Sequence, residues 1–170
     1  MNTFTAEVSC IQNLTHDVRE IELRLLEPAG ITFKPGQFVS FEVPKEGQPR
    51  PLTRPYSIAS PPGERERILL VLNLVQGGPG SSYLFGLRVG ARTSFKGPAG
   101  AFYLRDDGGR DLLFVATGTG IAPIRSVNKI YEVFIDLFNI MYYAFTVLIV
   151  LSNIELNRIK KFGALVVAIR

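Results

Sequence analysis

Between Phe4 and Val75 the apolar positions fall in short runs of strand length, separated from residue 28 onward by Gly and Pro turns, and none repeats at the helical period. That spacing predicts an antiparallel barrel or sandwich. In the run from Val18 to Leu25, Ile21, Leu23 and Leu25 alternate with Glu22 and Arg24, the pattern of a half-buried strand. Lys34-Pro35-Gly36-Gln37 suits a type II turn, because proline presets the first central φ and glycine accepts a positive second one. Phe38 to Val43 is then the next strand. Ile68 to Val75 is apolar almost without interruption, as in a strand covered on both faces, until Gly77-Gly78-Pro79-Gly80 stops it. A short helix is predicted from Ser81 to Leu87.

The pattern changes after Gly97-Pro98-Ala99-Gly100 and the polar Asp106-Asp107-Gly108-Gly109. Leu112 to Ala116 reads as a buried strand running straight into Thr117-Gly118-Thr119-Gly120-Ile121-Ala122-Pro123. Pro123 is expected to be the first residue of a helix, where its missing N–H costs nothing. Strand, glycine turn and helix in that order open a nucleotide-binding βαβ unit.

Composition sharpens this division. A chain of 170 residues, 46% hydrophobic and 20% charged, has the material for one core and part of another, and is not a disordered chain. All 11 prolines and 15 of the 16 glycines lie at or before Arg125. Phe, Tyr, Ile, Asn and Lys make up 24 of residues 1–126 but 21 of the remaining 44. The expected organisation is a barrel over 1–108 and an incomplete nucleotide-binding unit over 109–170, with an atypical tail from about 127. The net charge of +4 is spread evenly, with no run of basic residues, so nucleic acid is not an expected partner. Cys10 and His16 are the sole residues of their kinds, which excludes an internal disulfide, a four-thiolate cluster and a multi-histidine metal site. The first residues carry neither a basic lead nor an apolar core of a secretory signal, so a cytoplasmic location is expected.

Three strings carry candidate chemistry. Arg54-Pro55-Tyr56-Ser57-Ile58-Ala59-Ser60 opens a strand, placing Arg54, Tyr56 and Ile58 on one face. A guanidinium, an aromatic ring and small hydroxyls there suit a ligand with a phosphate at one end and a flat ring system at the other. The alternative is a core tyrosine beside a solvated edge arginine. Gly77-Gly78-Pro79-Gly80-Ser81-Ser82-Tyr83-Leu84 puts a glycine turn and two serines at a helix start, an anion site, with Ser81 as a helix cap, a phosphate donor or both. Ala116 to Pro123 gives the third, a variant of the dinucleotide fingerprint ending in proline.

In this order and spacing the strings resemble the ferredoxin–NADP reductase-like family of flavoprotein reductases, with its R-x-Y-S-x-x-S, G-x-x-S-x-x-L and G-T-G-I-A-P segments. Phe33-Lys-Pro-Gly-Gln-Phe-Val39 and Gly97-Pro-Ala-Gly-Ala-Phe102 are similar to two further segments of the family, so the likeness spans residues 4–126. The resemblance implies a six-stranded antiparallel Greek-key barrel holding FAD, followed by an NAD(P)-binding α/β domain. It implies that Arg54 contacts the flavin phosphates, that Tyr56 packs on the isoalloxazine, and that Ser57 lies near its reactive N5, making Tyr56 and Ser57 the catalytic pair. Gly78, Gly80, Ser81 and Ser82 would hold the pyrophosphate. Gly118, Thr119 and Gly120 would admit the pyrophosphate of NAD(P)H, with Thr117 near the nicotinamide. Electrons would pass from NAD(P)H through FAD to a separate iron–sulfur or haem protein, and no metal site is implied in this chain.

The chain departs from the family after Ser126. Only 60 residues follow Arg110, too few for a doubly wound domain, and the family's ribose-binding acid, cysteine-glycine segment and C-terminal aromatic are missing. Three readings of the tail stand: a first helix over Asn128–Tyr143 followed by a strand over Phe145–Leu151, a segment foreign to the family fused at the break, or a membrane span over 137–154. The alternative function is accordingly a flavin-binding remnant without turnover, attached through its tail to a partner or membrane.

Overall fold

The computed structural model describes residues 1–44, 47–103, 112–128 and 164–169. In chain order the elements are β1 (Asn2–Asn13), β2 (Val18–Glu27), β3 (Phe38–Val43), β4 (Leu52–Ser57), β5 (Arg67–Asn73), helix α1 (Pro79–Gly86), β6 (Arg92–Ala99), β7 (Leu112–Thr117), a 3₁₀ turn (Gly118–Gly120), α2 (Ile121–Asn128) and β8 (Ala164–Ile169). The first six strands form one antiparallel sheet in the order β4-β3-β6-β1-β2-β5. Its two edges meet at a single bridge between Ile58 and Leu70, which curls the sheet into the expected Greek-key barrel.

Alternation along the strands puts the core inside this curl. Ile21, Leu23 and Leu25 of β2, Val39, Phe41 and Val43 of β3, and Ile68, Leu70 and Leu72 of β5 are all buried in one cluster. Aromatic rings run through it. Phe4 stacks on Phe95 at 5.4 Å between centroids, Phe95 meets Phe41 at 5.6 Å, and Phe41 meets the Tyr56 ring edge-on at 5.8 Å. Tyr56 is thus held from beneath by the barrel interior. The turn before β3 forms as expected: Gly36 has φ +92°, and the Gln37 N–H donates to the Lys34 carbonyl at 3.1 Å.

β5 has its second covered face. Val71, on the side opposite Leu70 and Leu72, packs with Ala59 and with Ala122 of α2 in a separate small cluster. The strand ends at Asn73, however, and Leu74 and Val75, read as its last residues, are exposed in the following loop. Two helix boundaries also differ from expectation. α1 begins at Pro79, two residues before Ser81, because proline is well accommodated in a first turn whose N–H groups have no helical partners. For the same reason Pro123 is accepted as the third residue of α2 rather than the first, the 3₁₀ turn leading into Ile121.

The partner of β7 is β8, antiparallel, from Leu112 opposite Ile169 to Thr117 opposite Ala164. A doubly wound unit would pair β7 with a parallel strand. The run Ala164-Leu-Val-Val-Ala-Ile169, short and wholly apolar, was not foreseen as a strand. The expected boundary near residue 108 and the segments 129–143, 145–151 and 137–154 lie outside the described residues. No helix among the described residues is long and apolar enough to cross a membrane.

Candidate functional site

β4 presents Leu52, Arg54 and Tyr56 on one partly buried face while Thr53 and Pro55 point to solvent, the alternation expected of the string. Helix α1 lies against that face through Gly80. A Cβ on Gly80 would stand 2.5 Å from Tyr56 Oη, 2.8 Å from Arg54 Cγ and 2.9 Å from Arg54 Cβ. Two strings separated by some twenty residues therefore meet at one point. Among the described residues the Arg54 guanidinium donates only to its neighbour's carbonyl, Thr53 O, at 2.9 Å, and the Tyr56, Ser57 and Ser82 hydroxyls have no side-chain hydrogen bond. Burial pushes the Tyr56 phenol above its ordinary pKa, with the Arg54 charge opposing the shift, so the ring carries a neutral O–H.

The glycine loop that enters α1 is locked by Ser81. Its buried hydroxyl accepts from the Val75 N–H at 3.0 Å and shares its own proton between the carbonyls of Gly78, at 3.1 Å, and Val75, at 3.3 Å. The Gly78 N–H closes the same loop on Val75 O at 2.9 Å. Ser81 thus shapes the loop with its side chain, and Ser82 keeps its hydroxyl exposed. Ser82 N–H makes the first helical bond, to Gly78 O at 3.0 Å. The N–H groups of Gly80 and Ser81 ahead of it have no backbone acceptor among the described residues, and no side chain caps the helix. Aligned, unpaired amides at the positive end of a helix are donors for an anion.

The second glycine turn is tied to the first string. Ser126 of α2 donates its hydroxyl to the Ser60 carbonyl at 2.7 Å in a buried contact, and Arg125 pairs with Glu20 of β2. Thr119 Oγ1 comes within 3.4 Å of Asn73 Oδ1 at the end of β5. Gly118 has φ +53°, and among the described residues no atom would lie within 4 Å of a Cβ on Gly118 or Gly120. Thr117 closes β7 immediately before them. Arg54, Tyr56, Gly80 and the α1 amides are thus brought together directly. Among the described residues the second glycine turn is tied to the barrel by Thr119 at Asn73 and, through α2, by Ser126 at Ser60.

Cys10 and His16 are both exposed, and among the described residues His16 has only Asp17, 3.7 Å away, as an acidic partner. No group of three metal-ligating side chains occurs among the described residues. Reading along the chain missed Arg19, which reaches the far end of α1 from β2. A lone arginine on the polar face of a strand gives no signal in sequence, because its contact is 66 residues away.

Comparison with known proteins gives the family of the chain. Residues 5–103 match the family described as an oxidoreductase FAD-binding domain. The chain is 39% identical over 127 residues to ferredoxin–NADP reductase B of Sorangium cellulosum, covering 74% of this chain and 51% of that protein. It is 35% identical over 129 residues to methane monooxygenase component C of Methylosinus trichosporium, covering 73% of this chain and 36% of that one. Among solved structures, the Amycolatopsis cytochrome P450 reductase superposes with a TM-score of 0.61 at 28% identity, over 76% of this chain and 38% of that chain. The ferredoxin reductase in carbazole 1,9a-dioxygenase superposes with a TM-score of 0.55 at 33% identity, over 64% of this chain and 32% of its own. The chain spans about half, or less, of the length of these relatives.

Proposed function

The chain belongs to the oxidoreductase FAD-binding domain family, and from that premise we propose that it is the flavin-holding part of a reductase carrying electrons from NAD(P)H to a separate iron–sulfur or haem protein. The observation that carries the reading is the contact of Gly80 with Arg54 and Tyr56. Around that contact stand an aromatic side chain, a guanidinium with no acidic partner and helix amides with no acceptor among the described residues, the donor set that a flavin with a pyrophosphate needs.

The chemistry supplied by bound FAD is acceptance of a hydride and its release as single electrons or a pair. The chain's own residues bind and orient. Arg54 offers its charged fork to the phosphates, and the amides of Gly80 and Ser81 take the pyrophosphate, assisted by the exposed Ser82 hydroxyl. Gly78 and the Ser81 side chain keep the loop in shape for that. Tyr56, neutral and backed by Phe41, would pack on the isoalloxazine, and Ser57, next along the strand, would be its hydrogen-bond donor. Gly118, Thr119 and Gly120 would admit the pyrophosphate of NAD(P)H, with Thr117 at the nicotinamide. The setting we propose is cytoplasmic, where that donor is supplied, with no nucleic-acid partner and with any membrane contact confined to 137–154.

The test is the visible spectrum of the purified chain before and after anaerobic addition of NADPH or NADH. A flavin absorbance that one nucleotide bleaches is expected; bound flavin that neither bleaches removes the reductase reading. One observation favours a second reading, a flavin-binding module without turnover: β7 pairs with an antiparallel strand rather than opening a parallel sheet. That reading expects FAD binding, negligible NAD(P)H oxidation, and solubility that improves when residues after about 110 are deleted.

A further inference from the structure

Helix α1 has eight residues and is seated on the barrel by Leu84, buried in the core, and by Tyr83, whose Oη lies 2.9 Å from Thr93 Oγ1, but its C-terminal end carries no polar anchor of its own. It has no acidic residue in its first turn, no basic residue in its last and no side-chain cap. Its last carbonyls, like those of any helix, lack helical partners and carry the negative end of the dipole. One side chain from another element meets that end in two ways. Arg19 of β2 donates from Nη1 to the Phe85 carbonyl at 2.6 Å, and its guanidinium carbon lies 4.4 Å from the centroid of the Phe85 ring. Its Nε donates in turn to Asn13 Oδ1 of β1 at 2.9 Å, which fixes the plane of the guanidinium. Hydrogen bond, cation–π contact and charge complementarity therefore act on the same helical turn.

The opposite end of α1 is the one with unpaired amides against Arg54 and Tyr56. A helix of this length is only about 12 Å long, so a pin at its C-terminus sets where its N-terminus points. We propose that Arg19 is a positioning residue for the phosphate-binding end of α1: it holds the helix by Phe85 so that the Gly80 and Ser81 amides face the flavin pyrophosphate. Arg19 touches no cofactor itself. The proposal rests on the flavin reading for its ligand, but not for the helix contact.

The experiment uses the full chain, unaltered and as Arg19→Gln and Arg19→Lys. Dissociation constants are measured by calorimetry for FAD and for riboflavin, which shares the ring system but has no phosphate, and amide exchange in α1 is followed without flavin. Arg19→Gln should weaken FAD by about tenfold and leave riboflavin within about twofold. Lysine, which keeps the charge over the ring, should recover part of the loss, and exchange at residues 82–87 should quicken in the glutamine variant while β1 and β2 stay protected. FAD affinity that is unchanged, or FAD and riboflavin weakened equally, overturns the proposal, as does unaltered exchange in α1. If the unaltered chain binds no FAD while α1 exchange still depends on Arg19, the flavin reading fails and the role of Arg19 in holding the helix stands.

Discussion

Gly80 lies so close to Tyr56 that a Cβ on the glycine would stand 2.5 Å from the tyrosine hydroxyl oxygen. Inside a helix, alanine is ordinarily preferred to glycine by roughly 1 kcal/mol. Here the sign should reverse, because the methyl group must displace either the Tyr56 ring or α1. Gly80→Ala is expected to destabilise the fold by about 1–3 kcal/mol and to weaken FAD binding. At Gly86, the other end of the same helix, a Cβ would meet nothing within 4 Å among the described residues. Gly86→Ala is the control, and its thermal midpoint should equal or exceed that of the unaltered chain. Paired melting curves and FAD titrations decide the matter, and equal stability of the two variants would remove the close-contact argument.

Arg54 has no acidic partner among the described residues and donates only to an adjacent carbonyl, so its charge is available to a ligand. Arg54→Gln should therefore cost little stability while weakening FAD by the value of a charge-assisted contact, about 1.5–3 kcal/mol. Riboflavin should be less affected, since the charge addresses phosphate. Calorimetric titration with both ligands checks this, and unchanged FAD affinity would refute the role.

The barrel was legible in sequence because most strands after β2 are bounded by Gly or Pro and the strands bury one alternating face, as Ile21, Leu23 and Leu25 do. The strings around Arg54, Gly78 and Gly118 were legible because their residue types are chemically unusual in combination. What escaped were relations between distant positions. Ser81 looked like a ligand or a cap, yet its hydroxyl closes the Val75–Gly78 loop, a contact set by how the chain turns back at Gly77. Leu74 and Val75 extended an apolar run and so looked like strand, but hydropathy does not show that the partner strand β2 ends its pairing with β5 at Val18, opposite Asn73. Ala164 to Ile169 escaped because six apolar residues do not distinguish strand from helix by periodicity.

The Ser126 hydroxyl is buried and donates to Ser60 O, linking α2 to the string that begins at Arg54. Ser126→Ala leaves that carbonyl without its donor and should cost about 1–3 kcal/mol. The loss should be local, since Ala122 remains packed on Ala59 and Val71. Amide exchange is expected to quicken through residues 121–128 with the barrel strands unaffected. Uniformly faster exchange across β1 to β6 would mean that this contact supports the whole fold instead.

The Tyr56 phenol offers a pH test of the same face. Burial raises its pKa in the folded chain and Arg54 opposes the rise, so the folded state holds this proton more tightly than the unfolded chain, where a tyrosine ionises near 10. Above that pH the unfolded state has lost a proton that the folded state keeps, and stability falls as pH rises. The contribution is therefore fully present at pH 8 and declines from about pH 10 upward. Tyr56→Phe has no proton to lose, so its chemical-denaturation midpoint should fall less steeply between pH 9 and about pH 11 than that of the unaltered chain. Arg54→Gln removes the opposing charge, and the phenolate absorbance assigned to Tyr56 by difference from Tyr56→Phe should then appear at higher pH. A downward movement in Arg54→Gln would show that the guanidinium does not face the ring, and the shared face of β4 would have to be redrawn.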